Sequence, residues 1–370
     1  MGIADTYSRG RTIAIERPGV LLVALVAVVL VADLVRQLGT GGIQVHDIGS
    51  LVWDGLMRGL VIGLAGIGLS MTYSILNFAN FSHGDYITAG AFSGWATTYL
   101  LAGIGRANAD LGSLLLVGAG GSVFGGALGI GVTGTPVAVV AGMVIAGGFT
   151  ILLALGVDRF IYRPIRDADG ITLLITSIGV AFALRYLMQF VFGSDVRGTT
   201  AQPPQVGAYF WDGPVFISTH DVALVVVAGG LMLGVHVLLQ RTKLGKAMRA
   251  MADNEDLARI TGIPTERVIR STWIIGGALT GVAGYMFVLW KGTLGFNDGW
   301  LLLLLIFAAV ILGGIGSIYG AIAGGLIIGL TASMSVIWIP SAFARAAAFF
   351  VMIVILLVKP QGIFAGRATA

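Results

Sequence analysis

Long apolar runs recur along almost the whole chain, and the polar positions fall between the runs rather than alternating within them. A helix that crosses a bilayer needs roughly 20 apolar residues. Ten stretches have that character: 19–37, 54–76, 86–102, 136–157, 171–192, 221–240, 271–290, 301–314, 318–335 and 342–358, the eighth being short. The pattern predicts an all-α polytopic membrane protein, a single transmembrane domain over 1–370. A Gly-rich stretch within 106–135 carries Gly every two or three residues from Gly112 to Gly134 and reads as an outer insertion, a re-entrant hairpin or loop rather than an eleventh span. The first run lacks a small-x-small cleavage site before Arg36, so it is expected to stay as a helix.

Composition sharpens this class. Of 370 residues, 56% are hydrophobic and 11% charged, with a mean hydropathy of +0.94, whereas soluble domains carry roughly 25% charged residues. Cysteine is absent, which excludes disulfides, thiolate nucleophiles and Cys-based metal sites, and the four histidines are isolated from one another. No metal site and no catalytic residue is expected. The net charge of +4 reflects loop topology, not nucleic-acid binding.

Lys and Arg set the orientation, because cations are retained on the cytoplasmic side. With both termini inside, fifteen of them fall on inner segments, and five, Arg36, Arg106, Arg197, Lys291 and Arg345, fall outside. Trp53, Trp211, Trp290, Trp300 and Trp338 gather near the outer interface. Ten spans divide into two sets of five, and an odd number per half makes repeated halves inverted. At corresponding places in the two halves the apolar pattern breaks, at NFANFSHGDY (Asn77 to Tyr86) and at GTLGFNDGW (Gly292 to Trp300). Such interruptions are what broken helices along a substrate path look like, and two ordinary polar loops would look the same. Asn77, Asn80, Ser82, His83, Gly295 and Asn297 are the candidate path residues. His83 and Asp85 serve either the path or the cap of the third helix. Gly55, Gly59 and Gly63, and again Gly316, Gly320 and Gly324, form stripes that allow close helix approach. Arg185 is the deepest cation and should face protein or water, or snorkel outward.

Residues 242–271 form a charged island, TKLGKAMRAMADNEDLARITGIPTERVIRS. Asp253, Glu255 and Asp256 begin a helix-prone stretch, Gly262 ends it and Pro264 opens another, so two short helices joined at a sharp turn are expected. Opposed charges on a rigid turn suit a knob that docks on a soluble partner. Asp253, Glu255, Asp256, Ala258, Arg259 and Gly262 are its candidate coupling residues.

Several passages resemble the branched-chain amino acid permeases of ABC importers, of the type bearing an Asn-Phe-Ala-His-Gly motif. DNEDLARITGI is similar to the coupling helix of that family, NFANFSHGD to its motif, and RPIRDADGITLLITSIGV to its Arg-Pro-Leu-Arg segment. ILGGIGSIYGAIAGGLIIG resembles its late Gly-rich helix and KPQGIFAGR its C-terminal close. Three features depart from the pattern: Asn80, Phe81 and Ser82 are inserted between Ala79 and His83, Leu257 stands where a small residue is common, and the stretch from Arg106 to Thr135 is longer than the family's usual connection between the third and fourth spans. The resemblance implies inward transport of branched-chain, hydrophobic amino acids by ATP-driven alternating access. It also implies cytoplasmic ATPase subunits carrying ATP and Mg, a second related permease subunit in a heterodimer, and an extracytoplasmic substrate-binding protein. The chain itself should bind no cofactor. Its Gly245-Lys246 pair has Gln240 and Ala247 where a P-loop needs Gly and Ser or Thr. A urea or short-amide permease of the same family, and a secondary transporter or channel, remain as alternatives.

Overall fold

The computed structural model describes residues 18–105 and 125–364. Each of the ten apolar stretches forms a helix: α1 (Pro18–Thr40), α2 (Val45–Leu76), α3 (His83–Ala102), α4 (Pro136–Val157), α5 (Gly170–Phe192), α6 (Thr219–Arg241), α9 (Thr265–Lys291), α10 (Asp298–Gly313), α11 (Ile318–Met334) and α12 (Ala344–Val358). Two short helices, α7 (Lys243–Asp253) and α8 (Glu255–Ile260), lie between α6 and α9. With their end turns, α2, α4, α5, α6, α9, α11 and α12 are long and apolar enough to cross a membrane. The protein is an all-α, multi-pass membrane protein. Phe149, Leu152, Phe190 and Leu233 are exposed on α4, α5 and α6, as expected of surfaces that face hydrocarbon.

Polar side chains fix where the helices start. Gln44 and Asp47 make a capping box at α2, and Ser218 and Asp221 make another at α6; Asp169 caps α5 and Ser317 caps α11. The Gln44 cap starts α2 at Val45, well before the apolar run at 54. Its first turn is held by a β-hairpin, β2 (Gln205–Phe210) and β3 (Gly213–Ser218). At the hairpin tip the Asp212 carboxylate accepts the backbone N–H of Val45 (2.7 Å) and of His46 (2.8 Å), placing negative charge at a helix N-terminus. The 125–135 stretch contributes a turn of 3₁₀ helix (Gly125–Leu128), and the Ile130 carbonyl accepts from Ala201 N on the hairpin side. The rest of the Gly-rich insertion, 106–124, lies outside the described residues.

The packing repeats between halves. α2 packs on α11 and α9 on α4; α3 packs on α4 and α10 on α11; α3 also touches α5 and α10 touches α12. Exchanging α2 with α9, α3 with α10, α4 with α11 and α5 with α12 maps each pair onto the other. The α2–α9 and α3–α10 contacts map onto themselves. Four helices of each half thus share one packing pattern.

Glycine provides the close approaches, although not as the sequence spacing suggests. Gly55 and Gly59 lie against the α11 backbone at Gly325, Leu326, Gly329 and Leu330. Gly320 and Gly324 sit on the other side of α11, against Gly313 and Ala309 of α10. Gly316 precedes the helix with φ +84 and belongs to a turn. The second trio is therefore not one stripe.

The charged island also differs from expectation. Asp253 ends α7 rather than opening an acidic helix, and Asn254 caps α8, its side chain accepting from Leu257 N (2.8 Å). The stretch opened by Pro264 is the first turn of the long helix α9, which begins six residues before the predicted span. TERVIRS buries Val268 and Ile269 while Arg267 and Arg270 stay exposed, so an amphipathic turn continues directly into the apolar helix.

Candidate functional site

α2 and α9 end alike. Asn77 (φ 53) and Gly292 (φ 73), the first residues of the two interruptions read from the sequence, adopt the left-handed conformation that stops each helix. After each stop the chain turns back into the protein. His83 Nε2 reaches the Ala65 carbonyl at 2.9 Å, eleven residues before the end of α2, about 16 Å back along its axis. β1 (Arg197–Gly198) pairs with β4 (Thr293–Leu294) and holds the second return segment.

The helices α3 and α10 therefore begin inside the protein, and their first turns lie side by side. A Cβ on Gly84 would stand 2.9 Å from the Gly299 carbonyl oxygen, and Gly299 N donates to Thr88 Oγ1 at 3.1 Å. Phe81 packs on Phe307 (centroids 4.9 Å) and on Trp300 (6.3 Å). At 16 residues α10 spans about 24 Å, less than the ~30 Å hydrocarbon core. The two interruptions thus meet inside the protein.

Around the junction the candidate residues separate into groups. Asn80, Ser82 and His83 are buried together. Asn80 Oδ1 accepts from Ser82 Oγ (2.6 Å), Ser82 N (3.1 Å) and Tyr162 OH (3.2 Å). Tyr162 is placed by a π turn (Asp158–Tyr162) at the end of α4 and stacks on Trp273 of α9, with centroids 5.7 Å apart. Asn80 Nδ2 and Trp273 Nε1 have no acceptor among the described residues. His83 lies between α2 and α9, 3.4 Å from Thr280 Oγ1, and acts as a strut. Asn77 and Asn297 are exposed at the ends of their segments. Gly295 is buried, and its N–H donates to Asp298 Oδ2 at 2.9 Å.

Asp85 does not cap α3. It is fully buried and binds Arg185 through two hydrogen bonds, Nε to Oδ1 at 3.2 Å and Nη2 to Oδ2 at 3.0 Å. Arg185 also lies over the Trp300 ring, 4.2 Å from its centroid, and near Phe182. One guanidinium thereby joins α3, α5 and α10. The sequence marks Arg185 as a cation needing a partner, but Asp85 is a hundred positions away and carries no mark of the pairing.

On the face opposite the hairpin, α7 buries Met248 and Met251 and packs against the ends of α2, α6 and α9. Arg166 links Asp158 (2.8 Å) with Glu266 (2.6 Å), tying the end of α4 to the start of α9. α8 rests on this platform through buried Ala258, while Asp256, Leu257, Arg259 and Ile260 are exposed. Glu255 pairs with Arg259 at 2.9 Å. Gly262, with φ +86, ends the helix, and Ile263 N returns to the Ala258 carbonyl. Leu257 is 55% and Ile260 80% exposed, an apolar pair one turn apart among charges. The sequence reading passed over Ile260, whose i, i+3 spacing from Leu257 was the available signal.

Two halves with a shared packing pattern, helices that begin inside the protein and a protruding capped helix are the architecture of a membrane permease component. The chain belongs to the family of branched-chain amino acid transport system permease components, whose model matches residues 51–358. It is similar to the high-affinity branched-chain amino acid transport system permease protein LivH of Escherichia coli strain K12. The two are 30% identical over 316 residues, covering 84% of this chain and 94% of the relative. The corresponding protein BraD of Pseudomonas aeruginosa is 28% identical over 323 residues, 86% of this chain and 95% of its own. A probable branched-chain amino acid transport permease protein of Methanocaldococcus jannaschii is 29% identical over 331 residues, 85% and 90% of the two chains.

Proposed function

We propose that this chain is a permease subunit of an ABC importer that carries branched-chain, hydrophobic amino acids into the cell by ATP-driven alternating access. The observation that carries the coupling reading is α8. It is a helix of six residues capped at both ends, seated on α7 and α9 with Ala258 buried and presenting Leu257, Ile260 and charges to solvent. A loop with no partner gains nothing from exposing that apolar pair. In this reading the α8 face is cytoplasmic and docks in a cleft of an ATPase subunit, where ATP and Mg are bound. Asp253, Glu255, Asp256, Ala258, Arg259 and Gly262 form the coupling element, and the hairpin face receives an extracytoplasmic binding protein.

Movement of α8 reaches the path through α7 and α9. Because α9 contacts α2, α3 and α4, tilting it shifts the α3–α10 junction, where Asn80, Ser82 and Gly295 border the route. A second related permease completes the transporter.

The decisive test is reconstitution in proteoliposomes. Leucine, isoleucine and valine uptake should require the ATPase subunits, the second permease and ATP. Uptake by this chain alone would instead establish a secondary transporter or channel. The natural absence of cysteine makes orientation equally testable. Single cysteines at Ala168 and Thr265 should be shielded from an impermeant reagent in whole cells, and those at Thr40 and Thr200 labelled. Labelling of Thr265 from outside would overturn the orientation.

A further inference from the structure

On the hairpin side, between α2, α9, α10 and the start of α12, lies a cavity of about 550 Å³, within the range of roughly 300–1,000 Å³ usual for small-molecule sites. Its wall carries charges of both signs: Asp54, Arg58, Lys291, Asp298 and Arg345. Leu301, Leu302 and Leu305 of α10 supply an aliphatic floor. A second cleft, of about 430 Å³ beneath the hairpin, shares Asp54, Trp290 and Lys291 with it, so the cavity opens toward the hairpin face.

The charges are not mutually satisfied. Lys291 Nζ and Asp298 Oδ1 pair at 2.8 Å. Arg58, Arg345 and Asp54 have neither an ion pair nor a hydrogen bond among the described residues, although Asp54 and Arg345 are the charges that act on Arg58. An ionisable pair in an apolar helix is costly and usually marks a ligand path. Asp54 and Arg58, one turn apart at the start of the second apolar run, escaped the sequence reading for want of a visible partner. The N-termini of α10 and α12 also line the cavity and add positive potential to that of the two guanidinium groups.

We propose that this cavity recognises a zwitterionic aliphatic α-amino acid, with Arg58 and Arg345 holding the carboxylate, Asp54 the ammonium group and the α10 leucines the side chain. Guanidinium groups suit a carboxylate by their planar donor geometry. The Asp54 carboxylate gives the ammonium its counter-charge, and a branched side chain buries apolar area on the leucines. The proposal rests on the transport reading above for its role as the entry station, but the recognition chemistry is the cavity's own.

The test uses the assembled transporter in proteoliposomes, with a Ser341→Cys substitution at the cavity wall as reporter. Labelling of this chain by an impermeant thiol reagent should be slowed by L-leucine and not by 4-methylpentanoic acid or 3-methylbutylamine, which each lack one charge. Adding Arg58→Gln or Asp54→Asn should raise the leucine concentration for half-protection by about tenfold to a hundredfold, the cost of one charge-assisted hydrogen bond. Arg345→Gln, at an exposed and unpaired position, should do the same without disturbing assembly. Leucine uptake by the wild-type complex with no protection, and an unchanged KM in Arg345→Gln, would overturn the cavity and leave the transport reading standing. Protection by leucine without uptake would support the cavity and overturn the transport reading. Neither protection nor uptake would overturn both.

Discussion

The backbones of Gly84 and Gly299 touch at the point where α3 and α10 begin. A Cβ on Gly299 would overlap the Gly84 carbonyl oxygen and the Thr88 hydroxyl, and rigid backbone cannot yield as a side chain can. Gly299→Ala should therefore lower the stability of the detergent-purified protein by about 1–3 kcal/mol, the usual cost of overpacking. Gly148→Ala is the control, because nothing lies within 4 Å of a Cβ there. It should be neutral or stabilise by up to about 1 kcal/mol through helix propensity. Equal melting temperatures for the two variants would refute the close contact.

Asp85 and Arg185 make a second prediction. Both are buried, so Asp85→Ala leaves a guanidinium charge without its partner, at a cost of about 3–5 kcal/mol. The double variant Asp85→Leu with Arg185→Met removes both charges and should cost much less than the sum of the single changes. A double-mutant cycle on thermal unfolding measures the difference. Additive effects would mean that the two side chains do not interact.

The sequence was informative about helices because their signal is local. Ten apolar runs became ten helices, and the two polar interruptions fell at helix stops, Asn77 and Gly292, whose chemistry is visible in place. Relations between distant residues were not legible. Nothing near Asp85 indicates Arg185, and spacing alone grouped Gly316 with Gly320 and Gly324 although they serve different contacts. That the interruptions meet follows from chain reversal within the protein, a tertiary event with no periodicity of its own. The island misled differently: Pro264 suggested a separate short helix, but an amphipathic first turn merges into the apolar helix whenever Val268 and Ile269 have a core to enter.

The hairpin tip should respond to acid. Burial raises the Asp212 pKa, but hydrogen bonds from the Val45 and His46 backbone and from the His46 ring outweigh it, leaving the carboxyl below its ordinary value of 3.8. A carboxyl lowered in the folded state stabilises above its unfolded value, and that contribution is lost as pH falls through the folded value. His46 and Asp47 are the other ionisable groups at this contact. The melting temperature of the wild type should exceed that of Asp212→Asn at pH 7, and the gap should begin to narrow below about pH 4, near the ordinary carboxylate value, and keep narrowing as the pH falls further. A gap that stays constant down to pH 3 would show that the Asp212 charge does not hold the hairpin.

The last prediction concerns α8, where structure and proposed coupling make separable demands. Gly262 holds φ +86, so Gly262→Leu forces a branched residue into the left-handed region, at about 1–2 kcal/mol, and the last turn must re-form. Glu255→Arg replaces the partner of Arg259 with a like charge and puts a cation at a helix N-terminus. Ile260→Lys leaves the fold untouched, since Ile260 is 80% exposed and a cation is favourable at the C-terminal end of α8, and alters only the surface offered to a partner. All three variants should insert in the membrane at wild-type levels, because none lies in a spanning segment. Leucine uptake and transport-coupled ATP hydrolysis in the reconstituted complex should fall together in each, most informatively in Ile260→Lys, where no structural cost can explain the loss. Full ATP-driven uptake in all three would show that α8 is not where the ATPase acts on this chain.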